Sequence, residues 1–471
     1  MFRITIGLLL FSCTLSSIAA DPPKKPNVLF IISDDLNCDL GCYGHKQVRT
    51  PNLDALAKAG VRFDRAYVQY TVCNPSRTSF LTGLRPTTTK IVDNTTHFRK
   101  SLPDVVTLPQ LFRENGYESV GLGKVFHRGL SPDDEKREMD DPKSFDRVLY
   151  GKATPAGSKG EGRNLTGDKL GWCRWLAAEG TDADQPDGQL ADEAVRTLAQ
   201  KRDKPLFLAV GFYRPHDPFV VPKKYFDLYD RAKLELPATP KGYAPPFPHS
   251  IGGGVFKTAF DQFTDRERHE FLHAYYAGVS FMDAQVGRLL DALKANNLAA
   301  NTLVVFIGDH GYELGVRGWW NKSTLFERSC RTPLIVLDPT AKGNGKSTST
   351  ITEFVDLYPT LAARCGLKGV PKNLDGIGFR NVLDDPTAKH KEAAVTVVQR
   401  GKFLGRSLRT DRYRYTDWDG GEKGAELYDH TTDPGEWKNL AADPNVTETV
   451  ANLKKQLDAA CPARVSLPNP K

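Results

Sequence analysis

No apolar run among the 471 residues approaches the roughly 20 needed to cross a bilayer, so stable membrane insertion is not expected. Lys and Arg are not massed into a basic cluster interleaved with aromatics, which argues against nucleic acid as a partner. Cysteine is sparse: eight residues, scattered, with no Cys-x-x-Cys pair to mark a structural zinc and no disulfide framework. Internal repeats and low-complexity tracts are missing as well. What remains is an ordinary globular composition, 40% hydrophobic and 26% charged, with mean hydropathy −0.43. The net charge of +7 leans towards an anionic partner.

The first 20 residues read as an export signal: Arg3, a short apolar run over 4–12, then the small residues Ser17-Ile18-Ala19-Ala20. Export to the periplasm or the extracellular space is expected, with a mature chain from Asp21. Cys13 would leave with the signal, and the pairing of the remaining seven cysteines stays open. Over 21–389, short apolar runs alternate with amphipathic segments. Strands are predicted at 27–33, 117–122, 205–211, 302–307 and 333–337, and helices at 53–59, 108–115, 190–201 and 265–296, the last broken near Gly278. That alternation predicts an α/β fold, a mostly parallel sheet flanked by helices. Residues 390–471 change character: four short strands and a helix over 446–460 predict a smaller antiparallel subdomain. Two stretches, 133–189 and 234–256, look irregular and are expected to wall a cleft.

Unusual polar residues stand just where predicted strands end. Asp34-Asp35 follow the first strand, Lys124 and His127 the second, His216 and Asp217 the third, and Asp309-His310 the fourth. In a parallel sheet these ends form one ligand-binding edge. Adjacent carboxylates repel unless a cation compensates them, and several oxygens together suit Ca²⁺ or Mg²⁺.

Cys73 opens the run Cys73-Asn74-Pro75-Ser76-Arg77, followed by Leu81-Thr82-Gly83. Pro75 predicts an extended Asn74, and Ser76 is the expected N-cap of a helix through Thr82. Residue 73 would then lie near a positive helix end, which suits an anion. Arg77 can donate several hydrogen bonds to one. The residues alone thus reach an anion site with a metal and an activated nucleophile.

This run resembles the active-site signature of the type I sulfatases. Gly116-Tyr117-Glu118-Ser119-Val120-Gly121-Leu122-Gly123-Lys124-Val125-Phe126-His127 resembles their second signature, Asp309-His310-Gly311 their metal segment, and Glu426-Leu427-Tyr428-Asp429 with Asp433-Pro434 and Asn439-Leu440 their C-terminal part. The resemblance spans nearly the whole mature chain and implies an alkaline-phosphatase-like fold. It further implies that a formylglycine-generating enzyme converts Cys73 to Cα-formylglycine, whose hydrate attacks a sulfate ester. One Ca²⁺ would be held by Asp34, Asp35, Asp309, His310 and the modified residue 73. Arg77 and Lys124 would orient the hydrate, His127 would take its proton, and His216 and Lys322 would contact sulfate and protonate the leaving oxygen.

Within the family, Cys42-Tyr43-Gly44, Arg214-Pro215-His216-Asp217-Pro218-Phe219, Gln285-Val286-Gly287-Arg288 and Tyr413-Arg414-Tyr415-Thr416 are similar to iduronate-2-sulfatases. They imply a sulfated sugar or polysaccharide substrate, such as a 2-O-sulfated uronate. Tyr312, Ser323 and Gly315-Val316-Arg317-Gly318 depart from that subfamily near the expected sugar pocket. His97 and Arg99 could read a sugar carboxylate or belong to a solvated loop. Asn94, Asn164, Asn321 and Asn445 form glycosylation sequons. A phosphonate or phosphate ester hydrolase on the same fold, and a sulfated-glycan binding protein with unmodified Cys73, remain alternatives.

Overall fold

The structure, a computed structural model, describes residues 25–129 and 139–463. The expected export signal lies outside these residues. An eight-stranded sheet is built from β1 (Asn27–Asp34), β2 (Val61–Phe63), β3 (Glu118–Gly123), β4 (Arg147–Leu149), β5 (Leu206–Pro215), β6 (Thr302–Gly308), β7 (Leu334–Leu337) and β8 (Ser347–Thr348), in the spatial order β8-β2-β7-β6-β1-β5-β3-β4. The run from β6 to β4 is parallel throughout, while β7 is antiparallel to both β6 and β2. This is the mostly parallel sheet expected.

Apolar residues on both faces of a strand require cover on both faces. Leu29 and Ile31 of β1 pack with Leu208, Val210, Val304 and Phe306 on one side, under α4 (Pro186–Ala199) and α5 (Asp265–Ala295). Val28, Phe30 and Ile32 pack with Phe207, Ala209, Val305 and Ile307 on the other. That side is covered by α2 (Cys73–Thr82), α3 (Leu108–Glu114) and α6 (Leu357–Arg364); α1 (Pro51–Ala59) lies against α5.

Helix α5 begins at a capping box, the Thr264 N–H donating to Glu267 Oε2 at 3.1 Å. It runs unbroken to Ala295, contrary to the expected break at Gly278. A Cβ at that position would make only ordinary contact with Pro215 at 3.4 Å, so the glycine neither breaks the helix nor is demanded by its packing on the end of β5. Helix α4 starts at Pro186, four residues before the predicted Leu190, with its proline at the first helical position, where no N–H is missed. The stretch expected to be irregular contains strands Gly160–Asn164 and Arg174–Ala178, which join Phe219–Pro222 in a three-stranded sheet.

Towards the C-terminus, β9 (Ala393–Arg400), β10 (Phe403–Thr410), β11 (Tyr413–Trp418) and β12 (Ala425–Asp429) form an antiparallel sheet, packed by α7 (Thr447–Ala460). Its core includes Val395, Leu408, Trp418 and Leu457 and is continuous with Tyr67, Tyr70 and Leu325 of the preceding chain.

Candidate active site

The four strand ends that carry the polar residues belong to neighbours in the sheet, β6-β1-β5-β3. Their registers align the ends: Ser33 pairs with Gly308, Asp34 with Pro215, and Gly123 with Gly211. Asp34, Lys124, His216 and Asp309 therefore emerge on one edge. Beyond Asp34 the chain turns through a left-handed Asp35 (φ 61°), a conformation Asp tolerates better than most residues. The turn is held by the Asp35 N–H donating to Asp309 Oδ1 at 2.9 Å and by the Tyr275 hydroxyl donating to the Asp35 carbonyl at 2.7 Å.

Residue 73 arrives from the opposite direction. Helix α2 begins at Cys73 itself, with Val72 as N-cap, which corrects the expectation of Ser76 as the cap. The extended conformation expected of Asn74 also gives way. Its N–H donates to Asn94 Oδ1 at 3.0 Å, and its amide Nδ2 donates to the carbonyls of Asp93 and Thr96 at 2.8 and 2.9 Å. Those bonds secure a helical first turn against the restraint from Pro75. Ser76 instead donates its hydroxyl to the Asp309 carbonyl at 2.5 Å. All ten residues of α2 are buried, and Gly83, at φ 70°, ends the helix in the left-handed region.

Around residue 73 the predicted side chains converge. Sγ lies 3.3 Å from His310 Nε2, 3.2 Å from Lys322 Nζ and 3.9 Å from Asp35 Oδ1. The residue is a cysteine as encoded; its sulfur occupies the place that a formylglycine oxygen would take. Burial alone would raise the thiol's pKa, but Lys124, Lys322 and His310 hold it well below the ordinary value. His127 stands near it and favours its thiolate form, and the His127 Nδ1 is buried without a hydrogen-bond partner among the described residues.

Arg77 and the acids form a buried lattice. Its Nε donates to Asp309 Oδ2 at 2.9 Å, its Nη2 to Asp34 Oδ1 at 3.0 Å, and its Nη1 to the Lys124 and Val125 carbonyls. Lys124 Nζ reaches Asp34 Oδ2, and Lys322 Nζ reaches Asp35 Oδ1, both at 2.5 Å. His216 Nε2 stands 3.8 Å from Asp35 Oδ2. Burial disfavours its protonated form, yet Asp35 and Asp217 push it up to about 9.

One ligand atom each from Asp34, Asp35, residue 73 and His310 lies within 4.8 Å of the others. Asp309 sits beside this group rather than in it, its Oδ1 3.8 Å from His310 Nε2 and accepting from the Asp35 and His310 N–H groups. The Asp35 Oδ2 is buried with no hydrogen-bond partner. An orphaned carboxylate oxygen inside a mixed carboxylate–imidazole cluster fits a divalent cation.

The cluster opens into a cavity of about 640 Å³. Asp34, Lys124, His216 and Lys322 form its floor, and Trp172, Arg174, Phe256, Asn94 and Asn321 stand around it. Trp172, Arg174 and Phe256 come from the two stretches expected to wall a cleft or from their edge. No periodicity singled out these residues; the stretches that carry them have an ordinary loop composition. A larger depression of about 720 Å³, around Arg231 and His273, holds no such cluster, and its Glu270 is tied to Arg163 at 2.7 Å.

Two open readings resolve. Arg99 is ion-paired to Asp141 at 2.7 Å, and His97 accepts from the Arg99 N–H at 3.0 Å, so both brace a loop instead of facing the cavity. Tyr312 is buried among Phe271 and Tyr275, its hydroxyl donating to the Trp320 carbonyl at 2.9 Å. Ser323 accepts from Arg400 at 3.2 Å.

Comparison with known proteins identifies the family. The sulfatase family model matches residues 26–367, and the model for the N-sulphoglucosamine sulphohydrolase C-terminal region matches 315–462. A sulfatase of Formosa agariphila is 32% identical, over 97% of this chain and 91% of that protein. The iduronate 2-sulfatase of Homo sapiens is 31% identical, over 88% of this chain and 90% of that one. The fold superposes on the crystal structure of the phosphonate monoester hydrolase of Agrobacterium radiobacter with a TM-score of 0.76, at 23% identity, covering 92% of this chain and 95% of that one. With a family match over most of its length, the chain belongs to the sulfatases.

Proposed function

We propose that this sulfatase removes sulfate from sugars, with 2-O-sulfated uronate residues of polysaccharides as the substrate class, through a formylglycine made from Cys73. Sulfate-ester hydrolysis follows from the family; the sugar and the modified residue go beyond it. The observation that supports the modified residue is residue 73 at the first position of a buried helix, ringed by Lys322, His310, His127 and Asp35, while the uronate reading rests on the likeness to the iduronate 2-sulfatase of Homo sapiens.

Asp34, Asp35, His310 and residue 73 would hold one Ca²⁺, with Asp309 bracing the set. When bound, the cation supplies positive charge that offsets the sulfate oxygens and lowers the cost of attack at sulfur. The hydrated aldehyde supplies an oxygen nucleophile in place of the thiol. Arg77 fixes Asp34 and Asp309 relative to each other, so that their charge is presented without reorganisation. Lys124 and Lys322 each neutralise one acid and stand at the cavity floor, where they meet sulfate oxygens. His127, beside residue 73 with a free Nδ1, is the base. His216, on the open side of the acids, donates to the leaving oxygen. Export through the N-terminal segment fits a polysaccharide substrate.

Two measurements test this. Peptide mass analysis of protein made with a formylglycine-generating enzyme should show residue 73 lighter by about 18 Da. Cys73→Ala should fold and lose turnover of aryl sulfate and of 2-O-sulfated uronate disaccharides. An entirely thiol residue 73 in active protein would remove the formylglycine step. Preference for aryl phosphate or phosphonate esters over aryl sulfates would favour the chemistry of the structural neighbour. Binding of sulfated glycans without turnover, with Cys73 intact, would make the protein a glycan-binding module.

A further inference from the structure

The catalytic cavity contains more cationic charge than its acids consume. Besides His216, two lysines and two arginines line it: Lys124, Lys322, Arg174 and Arg214. Lys124 is paired with Asp34 and Lys322 with Asp35, both at 2.5 Å. Arg214 is buried, and its guanidinium donates to the His216 carbonyl. Arg174 differs from all three. It is exposed at the start of strand Arg174–Ala178, and among the described residues its guanidinium has no hydrogen-bond or ion-pair partner. An arginine fork left free on the wall of an anion-processing cavity is set to receive a planar anion.

Its neighbours supply the other half of a sugar site. Trp172 and Phe256 line the same cavity with ring centroids 5.8 Å apart and planes tilted by 52°. Phe256 is 36% exposed, although it is large and apolar. Aromatic faces beside a few directed polar groups are how pockets hold a ring with one apolar face. Asn94 and Asn321 complete the wall. Asn94 Oδ1 accepts from the Asn74 N–H at 3.0 Å and Asn321 Oδ1 from the Lys322 N–H at 2.8 Å, so both side chains are oriented by the site's own backbone.

We infer that Trp172, Phe256 and Arg174 form a specificity subsite that stacks the sugar ring and pairs Arg174 with a carboxylate on it. The inference rests on sulfate hydrolysis at residue 73 and adds the feature that selects acidic over neutral sugars. Nothing covalent is involved; the ion pair forms on binding and persists through turnover.

The test compares a 2-O-sulfated uronate disaccharide with its carboxyl-reduced counterpart, which keeps the sulfate and loses only the acid. Arg174→Gln should lower the ratio of kcat/KM on the two substrates about tenfold, as expected for one charge-assisted pair, and Arg174→Lys should restore part of it. Trp172→Ala should depress both substrates together, because stacking does not read the acid. An unchanged ratio in Arg174→Gln overturns the subsite. If neither sugar is turned over, calorimetric affinities of the Cys73→Ser protein for the two disaccharides, with and without Arg174→Gln, give the corresponding ratio, and an unchanged one overturns the subsite equally. Aryl sulfate turnover by the protein without substitutions, with residue 73 shown by mass analysis to be converted, is the separate control: its failure would strike the sulfatase reading, and its success alongside an unchanged ratio would strike only the subsite.

Discussion

Replacing Arg77 with Leu tests whether one guanidinium holds the acidic edge together. Its side chain and those of Asp34 and Asp309 are all 0% exposed. Removing one partner of a buried ion pair costs about 3–5 kcal/mol, because the abandoned charge remains buried. Here two acids are abandoned, but neither completely. Asp34 keeps Lys124 at 2.5 Å, and Asp309 keeps the N–H groups of Asp35 and His310 at 2.9 and 3.0 Å. The expected loss therefore falls at the low end, about 3 kcal/mol, a factor of over a hundred in the folding equilibrium. Guanidinium chloride unfolding followed by tryptophan fluorescence measures it. Asp309→Asn on top of Arg77→Leu should recover part of the loss, with a coupling energy of about 1–3 kcal/mol. Arg77→Lys should not substitute, since one ammonium cannot span two carboxylates and the carbonyls of Lys124 and Val125. A loss below about 1 kcal/mol, or strict additivity with Asp309→Asn, would refute the argument that Arg77 compensates these acids.

Chelation should lower the thermal midpoint and added Ca²⁺ should restore it, by about 4 kcal/mol when the ion is present at a thousandfold its Kd; identical melting with and without chelator would contradict the metal reading. Glu436 is buried, and although burial opposes its ionisation, Arg414 at 2.6 Å and His430 at 2.9 Å hold it from 4.5 down to about 2. A depressed carboxylate stabilises above its unfolded value and loses that contribution as pH falls from about 4.5 to about 2, here about 3 kcal/mol; Glu436→Gln should flatten the stability–pH curve in that window, and an unaltered slope would count against the pairing. Gly252→Ala would drive a Cβ into the Trp319 ring, whose Nε1 donates to the Lys322 carbonyl at 2.8 Å. A stability loss of about 1–3 kcal/mol with a reduced kcat is expected, and a neutral result would show that the Trp319 contact does not position Lys322.

The sheet was legible because its strands are apolar on both faces, a pattern that only burial between helix layers satisfies. The polar edge followed, since Asp34, Lys124, His216 and Asp309 each stand within two residues of a strand end. Local rules failed where distant contacts overrode them. The pre-proline restraint on Asn74 yielded to bonds from Asp93, Asn94 and Thr96, residues some twenty positions away. The strand Gly160–Asn164 was hidden because it is exposed and glycine-rich, so it carries no hydrophobic alternation. Trp172, Arg174 and Phe256 could not be grouped in advance, because only the folded chain brings 172–174 and 256 to one cavity. Arg99 illustrates the reverse case: a cation in a promising loop that is consumed by Asp141.

The complete burial of α2 also sets a clock. Residue 73 is 0% exposed, and its helix is enclosed on every side. An enzyme that must grip this segment to alter residue 73 has access only while the sheet beneath it is unformed. If residue 73 is converted as proposed, maturation and folding would compete for the same nascent segment, and a chain that folded first would be locked out of activity for as long as it stayed folded. Faster folding, ordinarily an advantage, would here lower the active fraction, and the yield of competent protein would depend on how slowly Phe80 and Leu81 find their places against β1.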